Sequence, residues 1–385
     1  MSEIKNLKKL AGRIKEAIKR KETIVLYADS DLDGVVALMI VKEIILNLGG
    51  QKPVIYFSDR KSEEHGINKE ALEFLKEKSP ALFLSLDCGI SDFVEIEMAK
   101  KLGFEVAILD HHEIPKKLPK IPIIVDPKQG KKDDYFYHLA TAGIAFHLAE
   151  MMLGNKLQGN LREDMAGLTA FATISDMSPA TEANKTLIEG GLPFLETSMR
   201  PAIRMMFDSS LVKDCLSTRG IIDKLVKIIN ITDKEKDLSE LYLLLITVSE
   251  DEAKERFSRF LQKGSERQVI IEKLSEALNK RLFKKNDESI IFEGDKTWPY
   301  RFLSTVASRT VIFSQKPVLL FVIEEESNRG AFRMPPQKDG IAALNKCSKY
   351  LDSCGGHAAA GGFIFKDKNT KELKQCLIKY FQKKS

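Results

Sequence analysis

No apolar run in this 385-residue sequence approaches the roughly 20 residues a helix needs to cross a bilayer, so no membrane association is expected. The first 21 residues are studded with lysine and lack the apolar core of a secretory signal. They carry Leu7, Leu10, Ile14 and Ile18 at the spacing of an amphipathic helix instead. Cysteine is sparse: Cys88, Cys215, Cys347, Cys354 and Cys376 are odd in number and include no C-x-x-C pair. That pattern argues against a disulfide framework or a structural zinc, and for a reducing cytoplasm. Internal repeats and low-complexity tracts are absent, and neither sign of charge dominates. A net charge of +5 permits an anionic substrate without pointing to one.

What is there describes an ordinary globular chain, 43% hydrophobic and 30% charged, long enough for two or three domains with their own cores. Residues 23–28, 53–57, 81–86, 106–109 and 121–125 read as strands. Helical periodicity separates them at 35–48, 69–77 and 93–102, and helices follow at 141–153 and 161–174. Short apolar runs alternating with helices mark βαβ units and a parallel sheet covered on both faces. Strand signals then fade. Segments 238–248, 252–261 and 266–282 read as helices, and strands resume at 289–292 and 317–323, with helices near 302–310 and 340–350. The expected organisation is an α/β parallel-sheet domain at 1–190, a helical connector at 191–285 and a smaller α/β domain at 286–385.

Three of the strand candidates end in acid. Asp29-Ser30-Asp31-Leu32-Asp33-Gly34 follows the first, Asp87 the third, and Asp110-His111-His112 the fourth. In an open parallel sheet the carboxyl ends of the strands line one edge, where ligands bind, so these residues are expected to meet. Several carboxylates sharing a space become favourable only around a cation. An EF-hand loop is excluded, because its bidentate Glu position is Ile40 and a strand, not a helix, precedes it. A helix-capping role explains one of Asp29, Asp31 and Asp33 but not all three. Adjacent residues point differently, so one of His111 and His112 is expected to face a metal and the other a substrate. Asp176, before Ser178-Pro179, is a fourth candidate.

Carboxylates and imidazole without thiolate suit Mn2+ or Mg2+. Four or five carboxylates over-neutralise one divalent ion, whereas two ions sharing an Asp balance them. Two metals about 4 Å apart suit in-line displacement at phosphorus, so phosphoester hydrolysis is the expected chemistry. In Cys354-Gly355-Gly356-His357-Ala358-Ala359-Ala360-Gly361-Gly362, paired glycines let backbone N–H groups approach an anion, and His357 adds a donor. Arg329 and Arg333 could supply further phosphate contacts.

Together these motifs resemble the DHH phosphoesterase superfamily, and within it the RecJ-like nucleases. Asp31 and Asp33 match its first motif, Asp87 the second, Asp110-His111-His112 the third and Asp176 the fourth. Residues 355–362 resemble the glycine-rich signature of the DHH-associated C-terminal domain, Ser58-Asp59-Arg60 with His65-Gly66 the Arg-bearing stretch after the second strand, and Thr141-Ala142-Gly143 the small-residue helix start. The resemblance implies a catalytic domain and a substrate-binding domain facing each other across a cleft. It implies that Asp31, Asp33, Asp87, His111 and Asp176 hold two Mn2+ or Mg2+ with Asp87 bridging. His112 would then contact the scissile phosphate, Asp110 would orient the His pair, and Arg60, Arg333, Gly355, Gly356 and His357 would grip the substrate.

Many relatives place a His where Tyr27 or Asp29 stands, so Asp29 is expected to complete the first metal's shell. The Asn-Ala-x-Gly-Arg stretch of the bacterial enzymes is missing from 220–245, and the chain leaves no room for their oligonucleotide-binding barrel. Both differences argue against processive digestion of long strands. The resulting expectation is a metal-dependent exonuclease releasing nucleoside 5′-monophosphates from single-stranded DNA or RNA. A phosphodiesterase for short oligonucleotides or cyclic dinucleotides, and a weakly catalytic component bound to replication or repair proteins, are the alternatives.

Overall fold

The structure is a computed structural model describing residues 3–58, 66–229, 233–283, 289–356 and 358–382. It divides into two compact units, Met1–Gly264 and Ser265–Ser385.

The first unit opens with α1 (Leu7–Arg20), β1 (Ile24–Ala28), α2 (Leu32–Asn47), β2 (Val54–Phe57), α3 (Lys69–Leu75), β3 (Ala81–Leu86), α4 (Phe93–Lys101), β4 (Phe104–Leu109) and β5 (Ile123–Val125). The five strands form one parallel sheet in the order β2-β1-β3-β4-β5, as the βαβ alternation predicts. Alternate residues of β1 serve opposite cores: Ile24, Leu26 and Ala28 face one, Val25 and Tyr27 the other. α1 lays Leu7, Leu10 and Ile14 against the first of these. α2 is apolar all round, from Leu32 to Ile45, and is accordingly buried between β1 and two later helices, α5 (Thr141–Leu153) and α6 (Gly159–Ser175). Helices α7 (Glu182–Glu196), α8 (Pro201–Phe207) and α9 (Thr218–Ile229), the short hairpin of β6 (Lys234–Glu235) and β7 (Leu238–Ser239), and α10 (Glu240–Ile246) follow. Leu195, Ile203, Met206, Leu225 and Leu245 join them to the same core.

The two helices expected at 252–261 and 266–282 are one continuous helix, α11 (Glu250–Leu282), because nothing between them breaks the backbone pattern and Gly264 alone does not stop it. The second unit adds β8 (Ile291–Asp295), α12 (Tyr300–Ser314), β9 (Val318–Val322), β10 (Asn328–Arg333), α13 (Gly340–Lys346), β11 (Ser353–Gly356), β12 (Ala360–Phe365) and α14 (Thr370–Gln382). Its sheet runs β11-β12-β10-β9-β8, parallel between β8 and β9 and antiparallel elsewhere. The glycines of β10, β11 and β12 hide these strands from a reading by hydrophobic alternation.

One expectation is corrected. Cys347, at the end of α13, and Cys376, in α14, are joined as a disulfide, their Cα atoms 6.0 Å apart. The pairing depends on α13 packing against α14, which cysteine spacing does not reveal. Among the described residues, no helix is long and apolar enough to cross a membrane.

Candidate metal centre

The sheet brings the acids together through its register. The N–H of Asp29 bonds to the carbonyl of Leu86, that of Asp87 to Leu109, and that of Asp110 to Val125, at 3.1, 2.9 and 3.0 Å. Each first residue beyond a strand is therefore still pinned to the next strand. Asp31 caps α2, accepting from the N–H groups of Asp33 and Gly34 at 3.1 Å. A Cβ at Gly34 would stand 2.4 Å from the Asp29 carbonyl oxygen, so this close turn admits only glycine.

Three overlapping sets of donor atoms form, each within 4.8 Å: Asp29, Asp31 and Asp87; Asp33, His111 and Asp176; and Asp87, His111 and His112. His111 Nε2 is 3.4 Å from Asp87 Oδ1, 3.7 Å from Asp176 Oδ1 and 3.8 Å from Asp33 Oδ2. All six residues expected to ligate metal are thus in one cluster, with Asp87 shared between two sets. His112 reaches the cluster as well.

Asp87 is 2% exposed and adopts a left-handed backbone (φ 61°), a conformation that tolerates Asp and occurs where function demands it. Burial pushes its carboxyl well above the ordinary range, and Asp33, Asp31, Asp29 and Asp110 push it further. Asp33 is raised likewise, by burial, Asp176 and Asp31. Among the described residues neither faces a Lys or Arg at salt-bridge distance; His111 is their basic neighbour. Buried carboxylates at this density, with an imidazole and no thiolate, fit divalent cations of the Mn2+ or Mg2+ type.

The DHH triplet separates by environment. Asp110, 1% exposed, accepts from the N–H of His111 at 2.8 Å and of Ile90 at 3.2 Å, and its Oδ1 is 2.7 Å from His112 Nδ1. Burial works against its charge, but His112 and the N–H donors hold it down at about 2. Burial also opposes a charge on His112, yet Asp110 overrides it and pushes the imidazole up to about 9. His111 is pushed down to about 4, chiefly by burial and then by His112. One imidazole is neutral with a lone pair for a metal, and its neighbour is a cation.

Several supporting groups were missed in the sequence. Thr141, the first residue of α5, donates its hydroxyl to Asp87 Oδ1 at 2.9 Å, while its N–H and that of Ala142 bond the two oxygens of Asp33 at 2.8 and 2.9 Å. Asp33 therefore seats on a helix N-terminus. Ser58 donates to Asp29 at 2.8 Å, and Ser178 to Asp176. The small-residue run at 141–143 and the Ser58-Asp59-Arg60 stretch marked the places in the sequence but not these bonds. Tyr27 is no ligand: its hydroxyl donates to the Gly66 carbonyl at 2.8 Å.

Of the residues expected to bind substrate, Arg60 and His357 lie outside the described residues. In the second unit, Arg333 pairs in register with Ala360, and Gly356 with Gly361, so both stand at one end of that sheet. Arg333 donates to the Ser308 hydroxyl at 3.0 Å and the Phe332 carbonyl at 2.8 Å, and meets no carboxylate among the described residues. Gly355 pairs with Gly362, and Gly356 has a φ of 124°, where a Cβ would strike Ala360.

Fold and site define a DHH-domain protein: residues 23–173 match the DHH family, N-terminal domain. The curated relatives that the chain matches include RecJ exonucleases. The chain is 29% identical over 381 residues to the single-stranded-DNA-specific exonuclease RecJ of Bacillus subtilis, covering 97% of this chain and 48% of the relative. To the RecJ of Thermus thermophilus it is 26% identical over 370 residues, covering 94% and 52%. The chain thus spans about half the length of these relatives. A crystal structure of exonuclease RecJ bound to manganese superposes with a TM-score of 0.80 at 24% identity, covering 99% of this chain and 95% of the other. RecJ from Thermus thermophilus in complex with Mn2+ gives 0.84 at 23%, covering 99% and 55%. At these identities the likeness is one of fold.

Proposed function

We propose that this chain is a divalent-metal-dependent phosphodiesterase that digests single-stranded nucleic acid from an end, releasing nucleoside 5′-monophosphates. The observation that carries this reading is the shared position of Asp87, between Asp29 and Asp31 on one side and the His111 pair on the other. In this reading Asp29, Asp31 and Asp87 hold one cation, and Asp33, Asp87, His111 and Asp176 a second. Bound there, Mn2+ or Mg2+ supplies Lewis acidity toward the phosphate and the attacking water. The chain's own residues do the rest. Neutral His111 offers its Nε2 without competition from a proton. Thr141 and the α5 N-terminus fix the oxygens of Asp87 and Asp33, so the donors are set before any ion arrives. His112, kept cationic by Asp110, donates to a phosphate oxygen whose charge grows as the bond breaks. Arg333 and the backbone at Gly355 and Gly356 bind the strand's phosphates. The descriptions of the curated relatives support single-stranded DNA as substrate.

The test is a digestion series with Mn2+, comparing end-labelled single-stranded DNA and RNA, duplex DNA, a dinucleotide and a cyclic dinucleotide. Mononucleotides released successively from single strands, and lost on chelation, are expected. Activity confined to the dinucleotides, or insensitive to chelation, overturns the proposal.

A further inference from the structure

Lys128 follows β5 in the turn that Asp126 begins. Its N–H is bound by Asp126 Oδ1 at 2.7 Å, which fixes the turn. Asp126 is itself fully buried with its other carboxyl oxygen unpartnered, so the turn is built into the sheet edge and is no solvated loop. The Lys128 side chain is 15% exposed, unusual for lysine, and its Nζ lies 3.1 Å from Glu113 Oε1. Glu113 immediately follows His112, so this ion pair ties the β5 turn to the DHH segment. Val125, the residue before Asp126, accepts the N–H of Asp110 at 3.0 Å, so the turn starts against the DHH segment from its first residue.

An ammonium has three donors, and Glu113 is the carboxylate partner of this one among the described residues. That partner is the residue after His112, at the segment proposed above to meet a phosphodiester. We propose that Lys128 contacts the substrate, its ammonium steered by Glu113 onto an oxygen of the scissile phosphate or the phosphate next to it. This rests on the function proposed above. Lysine serves phosphate as a compact charge, where the cations take other oxygens and His112 supplies a directed bond.

The experiment measures binding of a 5′-labelled oligodeoxythymidylate by fluorescence anisotropy, with Ca2+ replacing Mn2+, across a salt series. Wild type, Lys128→Met, Lys128→Arg and Glu113→Gln are compared, with circular dichroism verifying the fold. Lys128→Met is expected to weaken binding about tenfold or more and to lower the slope of log affinity against log salt by about 0.7, the share of one phosphate contact on a single strand. Lys128→Arg retains the slope, and Glu113→Gln leaves it within error because the ammonium remains. An unchanged affinity and slope in Lys128→Met overturns the proposal. So does weaker binding with an unchanged slope, the signature of a structural role. Digestion by wild type is scored separately, so an inactive wild type counts against the proposed function while the salt slope still decides the contact.

Discussion

Replacing Asp110 with Asn removes one charge and preserves nearly the same shape. With Asp110 in place, His112 Nδ1 stands 2.7 Å from Asp110 Oδ1 and the imidazole is pushed up to about 9. In the variant the attraction is lost while burial still opposes the cation, so His112 returns to about 6.5 or below. At a pH of about 7.5 the protonated fraction falls from about 97% to about 9%, a roughly tenfold loss of the form that donates to phosphate. The imidazolium is present below its pKa and lost as pH rises through it. The alkaline limb of kcat/KM is therefore expected to move down by about 2.5 units before screening, with activity recovering near pH 6. The His112 side chain is 56% exposed, and solvent screening trims the shift, which leaves about one unit as the smallest displacement compatible with this geometry. The assay is Mn2+-dependent digestion of a 5′-labelled single strand between about pH 6 and about pH 9, with folding checked by circular dichroism. Bound cations displace both limbs in the same sense, so the difference between the two proteins is read. Coincident limbs, or a loss of equal size at both ends of the range, refute the assignment of Asp110 as the group that keeps His112 charged.

Three further outcomes follow from the centre and the second unit. Asp87→Asn should remove Mn2+-dependent activity by orders of magnitude. It should also raise the Tm of the metal-free protein, because it replaces a carboxylate that its buried acidic neighbours repel; a lower metal-free Tm with a full Mn2+-induced gain contradicts the mechanism. Thr141→Val deletes the hydroxyl on Asp87 and keeps the N–H on Asp33, so Mn2+ titrations should show affinity or rate falling about 10- to 100-fold; unchanged values in both remove Thr141 from the site. Alkylation of the denatured protein without reductant should label three cysteines and leave Cys347 and Cys376 linked, whereas five labelled thiols refute the bridge.

Much of this centre is legible in the sequence because strand ends are where local and tertiary information coincide. Apolar runs closing on Asp29, Asp87 and Asp110 specify both the strands and what lies beyond them, and parallel pairing converts that into proximity. The residues that hold the ligands are not legible in the same way. Thr141 and Ser58 are ordinary residues until the fold brings α5 to Asp87 and the end of β2 to Asp29. Lys128 looks like one of many solvated lysines until its exposure is known. In the second unit, β10 to β12 carry Gly330, Gly355, Gly356, Gly361 and Gly362, which erase the alternation that marks a strand. Their spacing is required because rings and backbone come close: a Cβ at Gly361 would stand 2.2 Å from the Gly355 carbonyl oxygen.

The N–H groups of Asp29, Asp87 and Asp110, each bonded to the last residue of a neighbouring strand, make the sheet a ruler. Strands in a sheet repeat at about 4.8 Å, close to the separation of about 4 Å at which paired cations act together on one phosphate. In the proposed two-cation reading, the spacing of the strand-end acids that would hold the ions is inherited from backbone pitch. Core substitutions that keep the register should therefore tune stability while sparing the spacing of these acids. A slip of one residue in β3 would turn every alternate side chain to the wrong face and dismantle both halves together.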